Sequence, residues 1–228
     1  MIADAILAHH LLDRQQIAAR VAQDLEDDWV VNIGIGMPTL VPAHIAAQRD
    51  VILHSENGIV GMGPPPKNPK DVDPDLLNAG KEPVTLVTGG AYVHHADSFA
   101  IVRGGRLDAA ILGAFQVAAN GDLANWKLCG RPGGNVGGAM DIAVGAKRVF
   151  VMMTHTTREG EPKVVEELTY PLTVKGVVST IFTDMAVITV TPEGFTLQET
   201  APELTAADVQ DATGAPLIVA DDLKSISV

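Results

Sequence analysis

One cysteine, Cys129, stands among 228 residues. That excludes an intrachain disulfide and any cysteine-built zinc site. Aromatic residues are scarce, at 4%, so a core has to be made from Val, Ile, Leu and Ala, as in buried parallel sheets. Positive charge is the minority sign: 16 Lys and Arg against 28 Asp and Glu leave a net charge of −12. So acidic a chain is a poor partner for a nucleic-acid backbone or an anionic membrane surface. A phosphorylated ligand is still allowed, because it needs only a few local cations or backbone N–H groups. No apolar run approaches the roughly 20 residues that span a bilayer. Residues 1–10 are apolar but short and lack a basic start, a poor signal peptide, so the expected location is the cytoplasm. The G-x-S-x-G elbow of serine hydrolases is also missing.

What is present is an ordinary globular composition, 46% hydrophobic and 19% charged. Ile17, Ala18, Val21, Ala22 and Leu25 form a stripe at helical spacing. Trp29-Val30-Val31-Asn32-Ile33 reads as a strand, followed by the turn Gly34-Ile35-Gly36-Met37-Pro38 and a helix over residues 39–48, with proline suited to its start. Residues 51–54 read as the next strand, and residues 61–82 as a long loop rich in Pro, Gly, Asn and Asp. Further strands are expected at 84–88, ending in Gly89-Gly90, and at 108–112 and 148–153, with helices at 95–102 and near 140–144. Val187-Ile188-Thr189-Val190 and Phe195-Thr196-Leu197-Gln198 flank a Pro/Gly turn and predict a hairpin. Thr205 caps a helix with Asp208 at its third position, and a short strand follows at 217–219. With no repeat or clear linker, the economical reading is one domain over 1–228: α/β, a mostly parallel sheet flanked by helices.

The segment Leu53-His54-Ser55-Glu56-Asn57-Gly58-Ile59-Val60-Gly61 delivers a carboxylate from a strand end into a glycine turn. Ligands and chemistry collect at such strand ends in α/β sheets, yet Glu-Asn-Gly is also good surface-turn chemistry. Gly34-Ile35-Gly36 invites a dinucleotide reading, but Pro38 intrudes and Thr39 occupies the position of the third glycine. His94 and His95 are adjacent and point to opposite faces if extended, so no metal site is expected there. The pairs Gly89-Gly90, Gly133-Gly134 and Gly137-Gly138 are either plain turns or sources of N–H groups around one site.

Taken in order along the chain, Asn32-Ile33-Gly34-Ile35-Gly36-Met37-Pro38, Ser55-Glu56-Asn57-Gly58, Leu76-Leu77-Asn78-Ala79-Gly80-Lys81, Arg103-Gly104-Gly105, Gly121-Asp122-Leu123-Ala124-Asn125-Trp126, Gly137-Gly138-Ala139-Met140-Asp141 and Tyr170-Pro171-Leu172-Thr173 resemble the small, or β (B), subunit of the class I 3-oxoacid CoA-transferases. The resemblance spans nearly everything beyond about residue 12. Residues 91–99 most resemble the β-subunit branch that acts on 3-oxoadipate. The resemblance implies the CoA-transferase fold, shared in outline with sugar-phosphate isomerases. It also implies transfer of CoA from succinyl-CoA to a 3-oxo acid through a glutamyl-CoA thioester. In that role Glu56 is the nucleophile, and Gly138, with Gly137 and Ala139, supplies the oxyanion segment. Asn32, Lys81 and Asn125 line the CoA and thioester channel. No metal or prosthetic group is implied, the coenzyme A thioester being a substrate. The family's other half is absent from this chain, so the implied partner is the CoA-transferase α (A) subunit, in an α2β2 assembly. His94 and His95 are candidates for reading the far carboxylate of 3-oxoadipate. The alternatives are a homologous transferase for acetoacetate or another 3-oxo acid, and an isomerase or hydrolase on the same architecture.

Overall fold

The computed structural model describes residues 11–228, and the short apolar stretch at 1–10 lies outside them. In chain order the strands are β1 (Val30–Ile33), β2 (Ile52–Ser55), β3 (Ile59–Gly63), β4 (Thr85–Tyr92), β5 (Ala109–Gly113), β6 (Gln116–Ala118), β7 (Leu123–Ala124), β8 (Val149–Met152), β9 (Val164–Val165), β10 (Thr180–Phe182), β11 (Ala186–Thr191), β12 (Gly194–Thr200) and β13 (Leu217–Ser225). The α-helices are α1 (Arg14–Gln23), α2 (His95–Arg103), α3 (Ala139–Gly145) and α4 (Ala206–Asp211).

Ten strands join in the order β13-β12-β11-β10-β8-β5-β1-β2-β3-β4, and β7-β6-β9 make a small second sheet. The middle of the large sheet, β10-β8-β5-β1-β2, is parallel throughout. Antiparallel hairpins extend it on both sides. Its central strands read as unbroken apolar runs because both faces are covered. Successive side chains alternate between two cores. Ala109, Ile111, Phe150 and Met152 join Ile17 and Val21 of α1 on one face. Ala110, Leu112, Val149 and Val151 join Val102 of α2 and Ile142 of α3 on the other.

The helix signals hold where side chains satisfy the ends. Asp13 and Gln16 form a capping box on α1, and Thr205 and Asp208 form another on α4. Three expectations fail. The helix expected at 39–48 is a 3₁₀ segment, Met37–His44; Pro42 lies inside it, and proline lacks the N–H and clashes with the turn an α-helix needs. The loop expected from Gly61 onward begins later, because the chain reverses at Glu56-Asn57-Gly58 and returns as β3 against β2. Gly89-Gly90 does not end β4, which continues to Tyr92. At Gly61 the backbone has φ 77°, and a β-carbon would lie 2.8 Å from Gly90 Cα. Two glycines let β3 and β4 approach where a side chain on either would part them.

Candidate active site

Glu56 is the first residue after β2. The turn carrying it is pinned rather than free. Ser55 Oγ donates to Asn57 Oδ1 at 2.7 Å and accepts from Ala79 N–H at 2.9 Å, and Asn57 Nδ2 donates to the Leu77 carbonyl at 2.7 Å. Behind it, His54 is fully buried between Asn32 Nδ2 and Ser98 Oγ, each 2.9 Å away. Burial lowers the His54 pKa to about 4, so the ring is neutral and serves as a hydrogen-bonded prop.

The Glu56 carboxylate itself is half-buried and makes no hydrogen bond or ion pair among the described residues. Burial pushes its pKa up, and the electrostatic influence of His95 opposes that shift. Two cavities meet at this side chain. One, of about 540 Å³, follows the carboxyl ends of the parallel strands: Glu56 beyond β2, Gly34 and Ile35 beyond β1, Gly113 to Phe115 at the end of β5, and Met152 to Thr154 at the end of β8. The other, of about 430 Å³, is bounded by His95, Phe99 and Arg103 of α2 and by Asp141 of α3. Glu56, Gly137 and Gly138 line both. This is the crevice where open α/β sheets place their ligands.

Gly138 is the N-cap of α3, with φ −89° and ψ 2°. A β-carbon there would stand 3.3 Å from Glu56 Oε2, so the backbone faces the carboxylate directly. Gly137 N–H is committed to Asn135 Oδ1 at 2.9 Å and Ala139 N–H to the Val136 carbonyl at 3.1 Å. Gly138 N–H has no acceptor among the described residues. Of the three, it is the donor left over for a ligand.

The remaining expected site residues separate. Asn125 lines the larger cavity, held by Thr173 Oγ1 at 2.9 Å and the Gly113 carbonyl at 3.2 Å. Asn32 is wholly buried, lines neither cavity at Glu56, and leaves its Oδ1 without a partner among the described residues. Lys81 is exposed, in left-handed backbone (φ 64°), on the same loop that pins the Glu56 turn through Leu77 and Ala79. His94 caps α2 by accepting from Ala96 N–H at 3.2 Å and lines neither cavity. His95 lines the smaller one and stacks on Phe99, ring centres 4.9 Å apart. Two residues with no sequence signal also enter the larger cavity, Arg14 and Lys163. No group of three or more His, Cys, Asp or Glu side chains suited to a metal ion occurs among the described residues, and no described helix is long and apolar enough to cross a membrane.

Known proteins share this arrangement of chain and sequence. Residues 14–212 match the family described as Coenzyme A transferase. The chain is 53% identical to the β (B) subunit of 3-oxoadipate CoA-transferase from Acinetobacter baylyi, over 93% of this chain and 98% of that one. It is 43% identical to the β (B) subunit of a probable succinyl-CoA:3-ketoacid coenzyme A transferase from Bacillus subtilis, over 92% and 97%. Among solved structures, the acyl-CoA transferase YdiF of Escherichia coli O157:H7 superposes with a TM-score of 0.74 at 21% identity. That match covers 95% of this chain but only 44% of the longer one, and at such identity it speaks to the fold alone. On the family match and the two relatives together, this chain belongs to the Coenzyme A transferase family.

Proposed function

We propose that this chain is the catalytic β subunit of an enzyme that moves CoA from succinyl-CoA to a 3-oxo acid, 3-oxoadipate first among them. The observation that carries the reading is the uncommitted Glu56 carboxylate on the wall between two cavities, beside Gly138, whose N–H has no acceptor among the described residues. In the reaction, Glu56 attacks the thioester carbonyl and expels CoA thiolate, giving a mixed acyl-glutamyl anhydride. The thiolate then attacks the glutamyl carbonyl and displaces the first acid as its carboxylate, leaving a glutamyl-CoA thioester. The second acid runs the two steps in reverse. Each tetrahedral intermediate carries an oxyanion, and Gly138 N–H is the donor assigned to it. Glu56 needs no general base, since a carboxylate is ionised near neutral pH, and its lack of hydrogen-bond partners keeps it reactive. Half-burial shields the anhydride from water. Substrate CoA is the only cofactor-like group this chemistry calls for.

Both relatives bear names of β (B) subunits. These support a heteromer with a CoA-transferase α subunit, in an α2β2 arrangement acting in the cytoplasm. The test is to incubate the purified heteromer with succinyl-CoA and no acceptor, digest, and weigh the peptides. A CoA adduct on Glu56 is expected; an adduct elsewhere, or full activity in Glu56→Ala, refutes the assignment.

A further inference from the structure

The larger cavity is locally cationic in a chain of net charge −12: its charged lining residues are Glu56, Arg14 and Lys163. Lys163 precedes β9 and is half-buried. Its ammonium has three protons to donate, and among the described residues its one hydrogen bond is to Thr154 Oγ1 at 3.3 Å. Asp184 attracts it, but no ion pair of Lys163 occurs among the described residues, and the Asp184 Oδ1 atom accepts from His155 N–H at 2.7 Å. Desolvation lowers the Lys163 pKa to about 8, which still leaves it charged at neutral pH. A partly dehydrated cation with unused donors, facing a cavity, is costly unless an anion completes it.

The strand order fixes where that cation stands. Thr154 lies two residues past β8 and Glu56 one past β2, at the same edge of a parallel sheet and three strands apart. Three interstrand spacings amount to roughly 14 Å between the main chains, and Glu56 and Lys163 both line the cavity along that edge. An extended six-carbon diacid spans about 6 Å between its terminal carboxyl carbons, from standard C–C bond lengths. We infer that Lys163, with Arg14 on the same cavity wall, binds the distal carboxylate of a dicarboxylic acyl group whose other end reacts at Glu56. The inference rests on the proposed function and deepens it, replacing His94 and His95 as readers of that carboxylate.

The test uses the assembled heteromer and isolates one half-reaction. The glutamyl-CoA thioester is formed first, and its discharge is then timed with 3-oxoadipate and with 3-oxohexanoate, which ends in a methyl group where the diacid carries its second carboxylate. In Lys163→Met the 3-oxoadipate rate should fall about 10- to 100-fold, as for loss of a hydrogen bond to a charged group, with the 3-oxohexanoate rate within about twofold of its starting value. Lys163→Arg should keep most of the preference. Equal loss for both acids, or an unchanged ratio, overturns the inference. If Lys163→Met does not assemble, Lys163→Gln is read the same way. A wild-type enzyme that forms no thioester refutes the proposed reaction itself; a thioester whose discharge ignores Lys163 refutes only this inference.

Discussion

Gly138→Ala is the smallest change that tests the centre of the site. Its backbone, at φ −89° and ψ 2°, accepts any residue, so the added methyl group brings no conformational strain. The effect is one of space. The new carbon would stand 2.7 Å from Phe99 Cζ, 3.1 Å from Phe99 Cε1 and 3.3 Å from Glu56 Oε2. Phe99 is buried, with His95 against one side and the Arg103 guanidinium 5.6 Å from its ring centre, so the ring has little room to retreat. Overpacking of this kind costs about 1–3 kcal/mol, or a few degrees of Tm in a chain of this size. If Gly138 N–H holds the oxyanion, displacing it adds about 2.7–4 kcal/mol to the barrier, a loss of roughly 100- to 1000-fold in kcat. The two effects separate in the double variant Gly138→Ala/Phe99→Leu, which removes the ring edge but leaves the methyl group against Glu56. Thermal unfolding and steady-state kinetics on the heteromer should show Tm recovering and kcat staying low. Recovery of both would make the defect one of packing, and an unchanged kcat in folded Gly138→Ala would remove Gly138 from the chemistry.

Glu56→Gln should lose several decades of rate, on the order expected for a missing nucleophile, while raising Tm at neutral pH. Burial holds the Glu56 pKa above its ordinary value, so its ionised form costs stability above that raised pKa, and the cost fades as pH falls toward the unfolded value. The Tm difference should therefore shrink in acid; a variant less stable than wild type at neutral pH contradicts it. His95→Ala removes the influence that opposes burial, so the acid limb of the pH–rate profile should move to higher pH, and a shift the other way would refute the coupling. This chain purified alone should turn over almost no substrate and regain activity when mixed with the α subunit; robust transferase activity from the isolated chain would defeat the heteromer.

Much of the site was legible because its determinants are close in sequence. The turn at Ser55-Glu56-Asn57-Gly58 satisfies part of its own polar chemistry, and Gly137-Gly138-Ala139 fixes a helix start beside it, so short motifs identified both. The capping box at Thr205 is likewise local, its partner Asp208 lying three residues on. The apolar runs that became β5 and β8 declared a sheet covered on both faces. The short strands β6, β7 and β9 gave no such signal, since two or three residues show no period; β6 pairs locally with β7, but β9 meets β6 only through a distant pairing, Val164 against Val117.

Tertiary structure decided the rest. Asn32 belongs to a family motif, yet whether it meets a ligand or a neighbouring side chain depended on the register of β1 against β2, which sets it beside His54. Nothing in Glu161-Pro162-Lys163-Val164-Val165 distinguishes Lys163 from a solvated surface lysine. Its place follows from β9 pairing with β6 while Thr154, two residues past the end of β8, lies within reach of its ammonium. Arg14 of α1 and Lys163, just before β9 of the small sheet, lie 149 positions apart in sequence and line one cavity only because tertiary packing brings the helix and the small sheet to the same crevice. The sequence by itself determined the turn that presents Glu56, because the bonds that start it, Ser55 Oγ to Asn57 Oδ1 and Gly58 N–H to the Ser55 carbonyl, lie within a few residues. Which cations share its cavity was decided by strand pairings over long separations, whose cost in chain entropy is met only by the cooperative packing of the whole sheet.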